Sequence, residues 1–501
     1  MKLKHILLII GLALLLVIWY FRTWFQGLAL YFYATPVIWQ VLILTFTLHY
    51  GVFKQIPALN KKQEIKIDQN NAEEVTAAGL ISFFLFFLLL IPGLITANIA
   101  RGVHLAQTVD YQFRDTLPES TDDIRLMPYH VAKRYAKDSL QLSQFKLGTE
   151  NIALIDGKLQ WVFPLTPDGL VITFLQKNKG IVTVDATTEE KNSRHYWEDM
   201  EIGEGMQIRD NLYWNLYRRH FFVSTDDPFY LPHNDTIYTV VGTIGYRFHF
   251  RWGVIYTSPY FKGVYIVDAA GNSEFVLSEA ATNHPVLAGN RIFPENLTRT
   301  FVNAYQYHLG ALNKIFIHKD QIQIQDTPSP GSSVNRQPYL MNTEEGLKWF
   351  ISTEPYGASH GIFKIFVVDA RTGQIEIYEL PQDQTLTGPV RSVDYIRRSN
   401  PVVDWSRFNS VEPLPFVRNQ SLFWKLTVIP SDAAGIAYQA FIDANTNEVF
   451  ELRQPADIQA FLVGNEVVQP RLAARADDDV INTIRAKLKE LEQLLDQLDE
   501  K

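Results

Sequence analysis

A phrase of strand, Asp-Ala, turn and strand occurs four times in this chain. It reads GIVTVDATTEE at 180–190, GVYIVDAAGNSEF at 263–275, KIFVVDARTGQIEIYEL at 364–380 and YQAFIDANTNEVFEL at 438–452. The turn aspartates Asp185, Asp268, Asp369 and Asp443 follow one another at intervals of 83, 101 and 74 residues. A unit that returns in this way predicts one duplicated module. In the third copy Ile365 and Val367 fall on one face of a strand and Phe366 and Val368 on the other. After the turn, Ile375 and Ile377 alternate with Glu376 and Tyr378, which is the two-residue period of a strand. An Asp side chain accepts from backbone N–H groups two residues on, and Gly or Asn tolerates positive φ. Arg371-Thr372-Gly373 and Asn445-Thr446-Asn447 supply those residue types. Each copy is therefore expected to be a β-hairpin whose aspartate holds the turn.

The repeat extends upstream. An aromatic strand precedes each hairpin: DGKLQW ending in Trp161, HNDTIY in Tyr238, EEGLKW in Trp349 and RNQSLFW in Trp424, placed 24, 30, 20 and 19 residues before the aspartates. The four aromatics are expected at equivalent core positions, where large rings dominate the buried area. Amphipathic patterns predict helices opening the copies over Pro128 to Leu140, Met206 to His220, Pro294 to Leu309 and Pro389 to Arg398. The fold class is thus α+β, with about four modules of a helix laid on an antiparallel sheet.

A helix, an aromatic strand and a strand ending in Val-Asp-Ala-x-Thr-Gly resemble the PepSY domain family. The third copy matches its closing signature through Val367, Asp369, Ala370, Thr372 and Gly373. The fourth has Asn447 for the Gly, and the second reads Ala-Ala-Gly-Asn with Gly271 in place of the Thr. The resemblance divides the chain into modules at 119–200, 201–290, 291–385 and 386–460, the second and third with long insertions. It implies small non-catalytic units of bacterial propeptides and envelope proteins, which bind or restrain peptidases or sense the cell surface. It brings no catalytic residues with it.

Residues 1–100 read as a membrane domain with three transmembrane helices, at about 6–21, 34–53 and 76–100, followed by a linker at 101–118. The first run ends in Val17-Ile18-Trp19-Tyr20-Phe21-Arg22, bulky rather than small, so an uncleaved helix is expected instead of a signal peptide. Trp24, Phe25, Tyr31 and Tyr33 form an interfacial aromatic belt. Lys2, Lys4, Lys54, Lys61, Lys62 and Lys66 on one side outnumber Arg22, Arg101 and Arg114 on the other. That asymmetry puts the N-terminus in the cytoplasm and the large C-terminal region outside it.

Cysteine is absent, which excludes disulfides, thiolate metal sites and a cysteine nucleophile. The net charge of −8 gives no basic footprint for nucleic acid. No metalloprotease, nucleophile-elbow, phosphate-loop or dinucleotide pattern occurs in the chain. Ser143 and Lys146 share the spacing of some serine acyl-enzymes but stand without the accompanying motifs. His220, His233 and His249 lie in the second copy with Asp226 and Asp227 and would form a metal site only by converging in space. Gly357-Ala-Ser-His-Gly361 is expected to be a loop. No catalytic, cofactor or metal residue is assigned.

Near the C-terminus, Ile481, Ile484, Leu488, Leu491, Leu495 and Leu498 step 3-4-3-4-3. This is the seam of a coiled coil at 478–501 that would join copies of the chain, or of an amphipathic helix docked on its own protein. The expected function is that of a non-enzymatic, membrane-anchored extracytoplasmic protein whose modules bind or regulate a protein or peptide partner. The alternatives are an anchored envelope hydrolase or transferase with a site between modules, and a structural subunit of a membrane complex.

Overall fold

The computed structural model describes residues 3–465, apart from 56–68, 141, 325, 327–335, 358–360, 382–383 and 433–434. The expected coiled coil at 478–501 and Ala358, Ser359 and His360 of the polar loop lie outside the described residues.

Three of the four Asp-Ala turns are built by the same hydrogen bonds. The Asp side chain accepts from the N–H two residues on, at Thr187, Arg371 and Asn445 (2.8, 2.9 and 2.8 Å). The following Ala N–H donates to a Leu carbonyl of the aromatic strand, that of Leu159, Leu347 or Leu422, and its own carbonyl accepts from Met127, Phe293 or Thr387. Each of those three residues lies just before a helix, and its carbonyl accepts the indole N–H of Trp161, Trp349 or Trp424 at 2.8, 3.2 and 2.6 Å. Turn, aromatic strand and helix entry are therefore locked at one point. The helices Tyr129–Asp138, Glu295–Ala304 and Pro389–Ser399 all start at a proline, Pro128, Pro294 or Pro389, whose fixed φ suits a helix start.

The second copy departs from this pattern. In the other three, the residue opposite the aspartate is Gln160, Lys348 or Phe423, and the Trp comes next. Here Tyr238 itself lies opposite Asp268, and the buried Thr239 takes the place of the Trp. Since a shift of one residue turns a side chain to the other face, Tyr238 is not equivalent to the three tryptophans, contrary to the sequence expectation. The copy's helix is also shorter than predicted, Leu212–Arg219, with Asn211 accepting from Trp214 N–H as its cap.

The molecule is a mixed α+β structure with several small antiparallel sheets. The first sheet comprises Phe145–Leu147, Asn151–Ile155, Lys158–Pro167, Asn178–Asp185 and Ser193–Met200. The second is dominated by a long hairpin, Thr236–Arg251 with Val254–Asp268. The third centres on Gly346–Pro355 and Lys364–Asp369, and the fourth on Ser421–Pro430 and Tyr438–Asp443. The sheets do not stand apart. Trp161, Phe163 and Val182 of the first share a core with Trp349, Ile351 and Phe366 of the third. The first sheet's other face, with Val162 and Ile181, packs on Tyr230, Val240 and Ile266 of the second. Phe350 and Val367, on the third sheet's far face, meet Trp424 and Leu426 of the fourth. Strands covered on both faces must be apolar at successive positions, which is why Ile365, Phe366, Val367 and Val368 are all buried.

At the N-terminal end, Gly79–Thr108 within helix Gln69–Thr108 is long and apolar enough to cross a membrane. Ile10–Tyr20 and Arg22–Ala34 pass that test only as a pair bent by 63°, and Val37–Tyr50 is a shorter apolar helix. Residues 101–118 correct the expectation of a linker. The helix runs on to Thr108 with Val103 and Leu105 buried, and Tyr111–Arg114 pairs parallel with the third sheet. Arg101 marks the end of the apolar run and not of the helix, and its guanidinium bonds Thr257 O at 2.7 Å.

Candidate functional site

The tryptophans that lock the first and third helix entries also form the walls of a cleft between the first three sheets, about 260 Å³ in volume. Each carries an arginine from the segment leading into its helix. The Arg125 guanidinium lies 5.3 Å from the Trp161 ring, and that of Arg291 lies 5.5 Å from Trp349 and 5.3 Å from Phe229. The two segments read Arg125-Leu-Met-Pro128 and Arg291-Ile-Phe-Pro294. This second repeat was legible in the sequence but lies outside the Asp-Ala phrase, and it is the signal that would have found the cleft.

The helix starts are capped from other sheets. Glu412 of the fourth sheet accepts from Tyr129 N–H at 2.6 Å and lies 3.4 Å from the Arg125 guanidinium. Asp226 of the second accepts from Glu295 N–H at 2.7 Å and from the Asn296 side chain at 3.0 Å. A carboxylate at this position meets the unpaired N–H groups and the positive end of the helix dipole. Glu412 is held there by a β-bulge between Val411 and Leu414 and has φ of +54°.

Burial raises the Asp226 carboxyl above its ordinary range, opposed by Arg291 and by the Glu295 N–H. Glu295 is pushed up to about 7, by burial first and then by the Asp226 charge. Burial also lowers the Arg125 guanidinium, which Glu412 opposes. Asp227, Glu150 and Arg336 complete the charged lining. The cleft thus offers two cation–aromatic pairs, a further arginine at its rim and a carboxyl group that titrates near neutrality.

The candidate metal and nucleophile residues weighed in the sequence go elsewhere, with two exceptions. Asp226 and Asp227 line the cleft, but the three histidines do not join them. His220 stacks on Phe275 at 4.1 Å, His233 faces Tyr238, and His249 lies 4.0 Å from His104 and bonds Ser258. No group of three or more His, Asp or Glu is arranged to hold a metal among the described residues. Ser143 sits in a turn, and Lys146 pairs with Asp168 at 3.1 Å. The turn aspartates are committed to their backbone partners. Burial raises the Asp369 carboxyl, but the Thr372 and Arg371 N–H groups and the Lys348 ammonium outweigh it and hold it below its ordinary value.

No family model and no curated protein matches the sequence. Among solved structures, a glycosyl hydrolase from Bacteroides ovatus is similar over 68% of this chain and 81% of its own, at 12% identity and a TM-score of 0.18. A likeness at that level carries no argument about fold or activity.

Proposed function

We propose that the chain is a non-enzymatic, membrane-anchored extracytoplasmic protein whose four PepSY-like modules form a scaffold that binds a protein or peptide partner in the cleft between the first three. The observation that carries this reading is the paired Arg–Trp wall, Arg125 on Trp161 and Arg291 on Trp349. Arginine is among the residues that dominate binding energy at protein interfaces; Arg291 and Arg336 carry the exposed surface of this wall, and the buried Trp161, Trp349 and Arg125 hold it in shape. The cleft's buried acid Asp226 is used as a helix cap, which fits a binding surface better than a reacting centre.

The membrane part of the proposal keeps three crossings, at about 6–21, 34–53 and 76–100, with the N-terminus in the cytoplasm. It is supported by the helix ends that meet the second copy. Arg22, Gln26 and Arg101 all bond backbone of the second copy, at Arg218, Val223 and Thr257, as they would if an odd number of crossings left the sheets on one side. Residues 478–501 form the oligomerising helix in this reading. Deleting them is expected to convert an oligomer to a monomer in mild detergent, and a monomer in both cases would reject that role.

The partner is tested with a photo-crosslinking residue at Arg336, on the cleft rim, in native membranes. A protein adduct is expected there, absent when the crosslinker is at Val402, and reduced by Arg291→Ala. An adduct insensitive to Arg291→Ala, or none specific to the rim, overturns the proposal. One observation favours the second reading, an envelope hydrolase: Glu295 titrates near 7 inside the cleft, as a general acid would. Turnover of an envelope polymer that Glu295→Gln abolishes would establish that reading in place of the first.

A further inference from the structure

The second copy differs from the others in its hairpin, which runs far beyond its own sheet. Thr236–Arg251 and Val254–Asp268 pair, with one register shift between Phe261 and Gly263, up to a turn at Trp252-Gly253, both with positive φ. Strand Val254–Asp268 has a neighbour on its other side, Ser273–Leu277, only from Gly263 onward. Before that point it is an open edge, whose backbone groups need partners.

Those partners are side chains of the membrane helices. Gln40 donates to Gly253 O at 2.6 Å and accepts from Ile255 N–H at 2.8 Å, and Arg101 donates to Thr257 O at 2.7 Å. In water an edge is satisfied by solvent, but in hydrocarbon each backbone group must be satisfied by protein. Gln40 is the fourth residue of helix Val37–Gln55, so the hairpin tip passes the helix's outer end by about 5 Å at 1.5 Å per residue. That helix is tightly apposed to the spanning one, since a Cβ at Gly93 would sit 3.1 Å from Val37. Gln40, and the tip with it, therefore lies alongside the outer part of the helix Gly79–Thr108.

The tip is aromatic and uncovered. Phe250 is 71% exposed and Trp252 51%, and Phe248 beside them is also exposed. Trp24, Phe25 and Tyr31 of the bent N-terminal helices expose their rings as well, and Tyr33 meets Phe248 edge to face at 5.0 Å. Arg251 lies over the Trp252 ring and bonds Gln107, at the outer end of the spanning helix, at 3.0 Å, so the tip's guanidinium has a ring and an amide as partners, and residues 248–254 include no acid. Aromatic side chains of this kind collect at the boundary of a bilayer.

We infer that this hairpin is a membrane finger, whose tip at Phe248, Phe250 and Trp252 is inserted among the lipids of the outer leaflet beside the spanning helices. The inference rests on the proposed membrane topology. It makes the second copy the one that fixes the height and tilt of the cleft above the bilayer.

The chain has no cysteine, so single nitroxide labels can be placed without other changes. The full chain, reconstituted in phosphatidylethanolamine–phosphatidylglycerol vesicles, is labelled at Phe250→Cys or Trp252→Cys. Val402→Cys, at a side chain 93% exposed, serves as the aqueous reference, and Leu88→Cys on the spanning helix, 69% exposed, as the lipid reference. Collision with oxygen relative to a water-soluble nickel chelate is expected to be several-fold higher at both tip positions than at Val402. Tip labels as wet as Val402, with Leu88 in lipid, overturn the finger alone. Leu88 equally wet overturns the membrane topology beneath it. Weak collision with both reagents at the tip means that protein covers it, a second copy or another chain, and also overturns the finger.

Discussion

Gly373 has a φ of +79°, and a Cβ there would lie 2.2 Å from the Phe293 ring. The ring belongs to the residue that receives the Trp349 indole bond, so a methyl group at this glycine pushes against the lock itself. Gly157 has the same φ but nothing within 4 Å of its Cβ position. Gly157→Ala is therefore expected to lose only the backbone preference, about 1 kcal/mol. Gly373→Ala adds an overpacking cost of a further 1–3 kcal/mol or so. Thermal unfolding of the two variants side by side separates these terms, and equal midpoints would show that the Phe293 ring yields freely. The sequence exposed this much directly: positive φ occurs at Gly271, Gly373 and Asn447, in the turns where Gly or Asn stands. Glu295 was not legible in the same way, because burial and Asp226, not the residue type, set its behaviour. A carboxyl raised from its ordinary range to about 7 holds a proton in the folded state that the unfolded chain has released. Stability therefore falls as pH rises between the two values. Glu295→Gln keeps the shape and removes the titration. Its unfolding midpoint is expected to exceed that of the parent at pH 8 and to lose that advantage at pH 5. An identical pH profile for both would show that Glu295 is ionised throughout.

At the scale of elements, the strand and turn of each copy were legible because their periodicity is local, as were the helices that start at Pro128, Pro294 and Pro389. Register was not. The spacing of an aromatic before an Asp-Ala turn does not reveal which residues face each other, and in the second copy the intervening hairpin places Tyr238 one residue out. The cleft was missed because its two arginines precede the helices, whereas the phrase that anchored the reading follows them. The difference between the aromatics has a measurable consequence. Trp349→Phe leaves the buried Phe293 carbonyl without its indole donor and is expected to cost about 1–3 kcal/mol. Tyr238→Phe keeps its ring at a half-buried position and is expected to cost under about 0.5 kcal/mol, the scale of surface changes. Equal destabilisation of the two, read as equal shifts in unfolding midpoint, would restore the equivalence of the four aromatics.

Across the whole molecule the sheets are joined by polar contacts as well as shared cores. Lys425 of the fourth sheet is buried and donates to Thr427 Oγ1 at 2.7 Å and to Leu126 O, which lies just before the first helix, at 3.2 Å. Gln439 reaches the same carbonyl and also Glu189, beyond the first Asp-Ala turn. Burial pushes the Lys425 ammonium down to about 7, with Glu412 opposing, Arg125 adding to the fall and Glu189 opposing. Between that value and the ordinary one near 10.4, the unfolded chain holds a proton that the folded chain lacks, so stability rises with pH across this window. Below pH 7 both states are protonated and the cost of the buried charge is complete. Lys425→Met keeps the length and apolar stem of the side chain and removes the charge, while Leu126 O keeps Gln439 as a donor. The variant is expected to be more stable than the parent at pH 6, by roughly 1–4 kcal/mol, and to converge with it above pH 9 as the parent recovers. Because the sheets share cores from the first to the fourth, the gain should move one common transition rather than that of the fourth sheet alone. Tryptophan fluorescence and protease resistance, followed on the same thermal ramp, distinguish these outcomes. A shift in one probe without the other would mean that the fourth sheet unfolds by itself, and a parent with a flat profile from pH 6 to 9 would mean that Lys425 keeps its charge throughout.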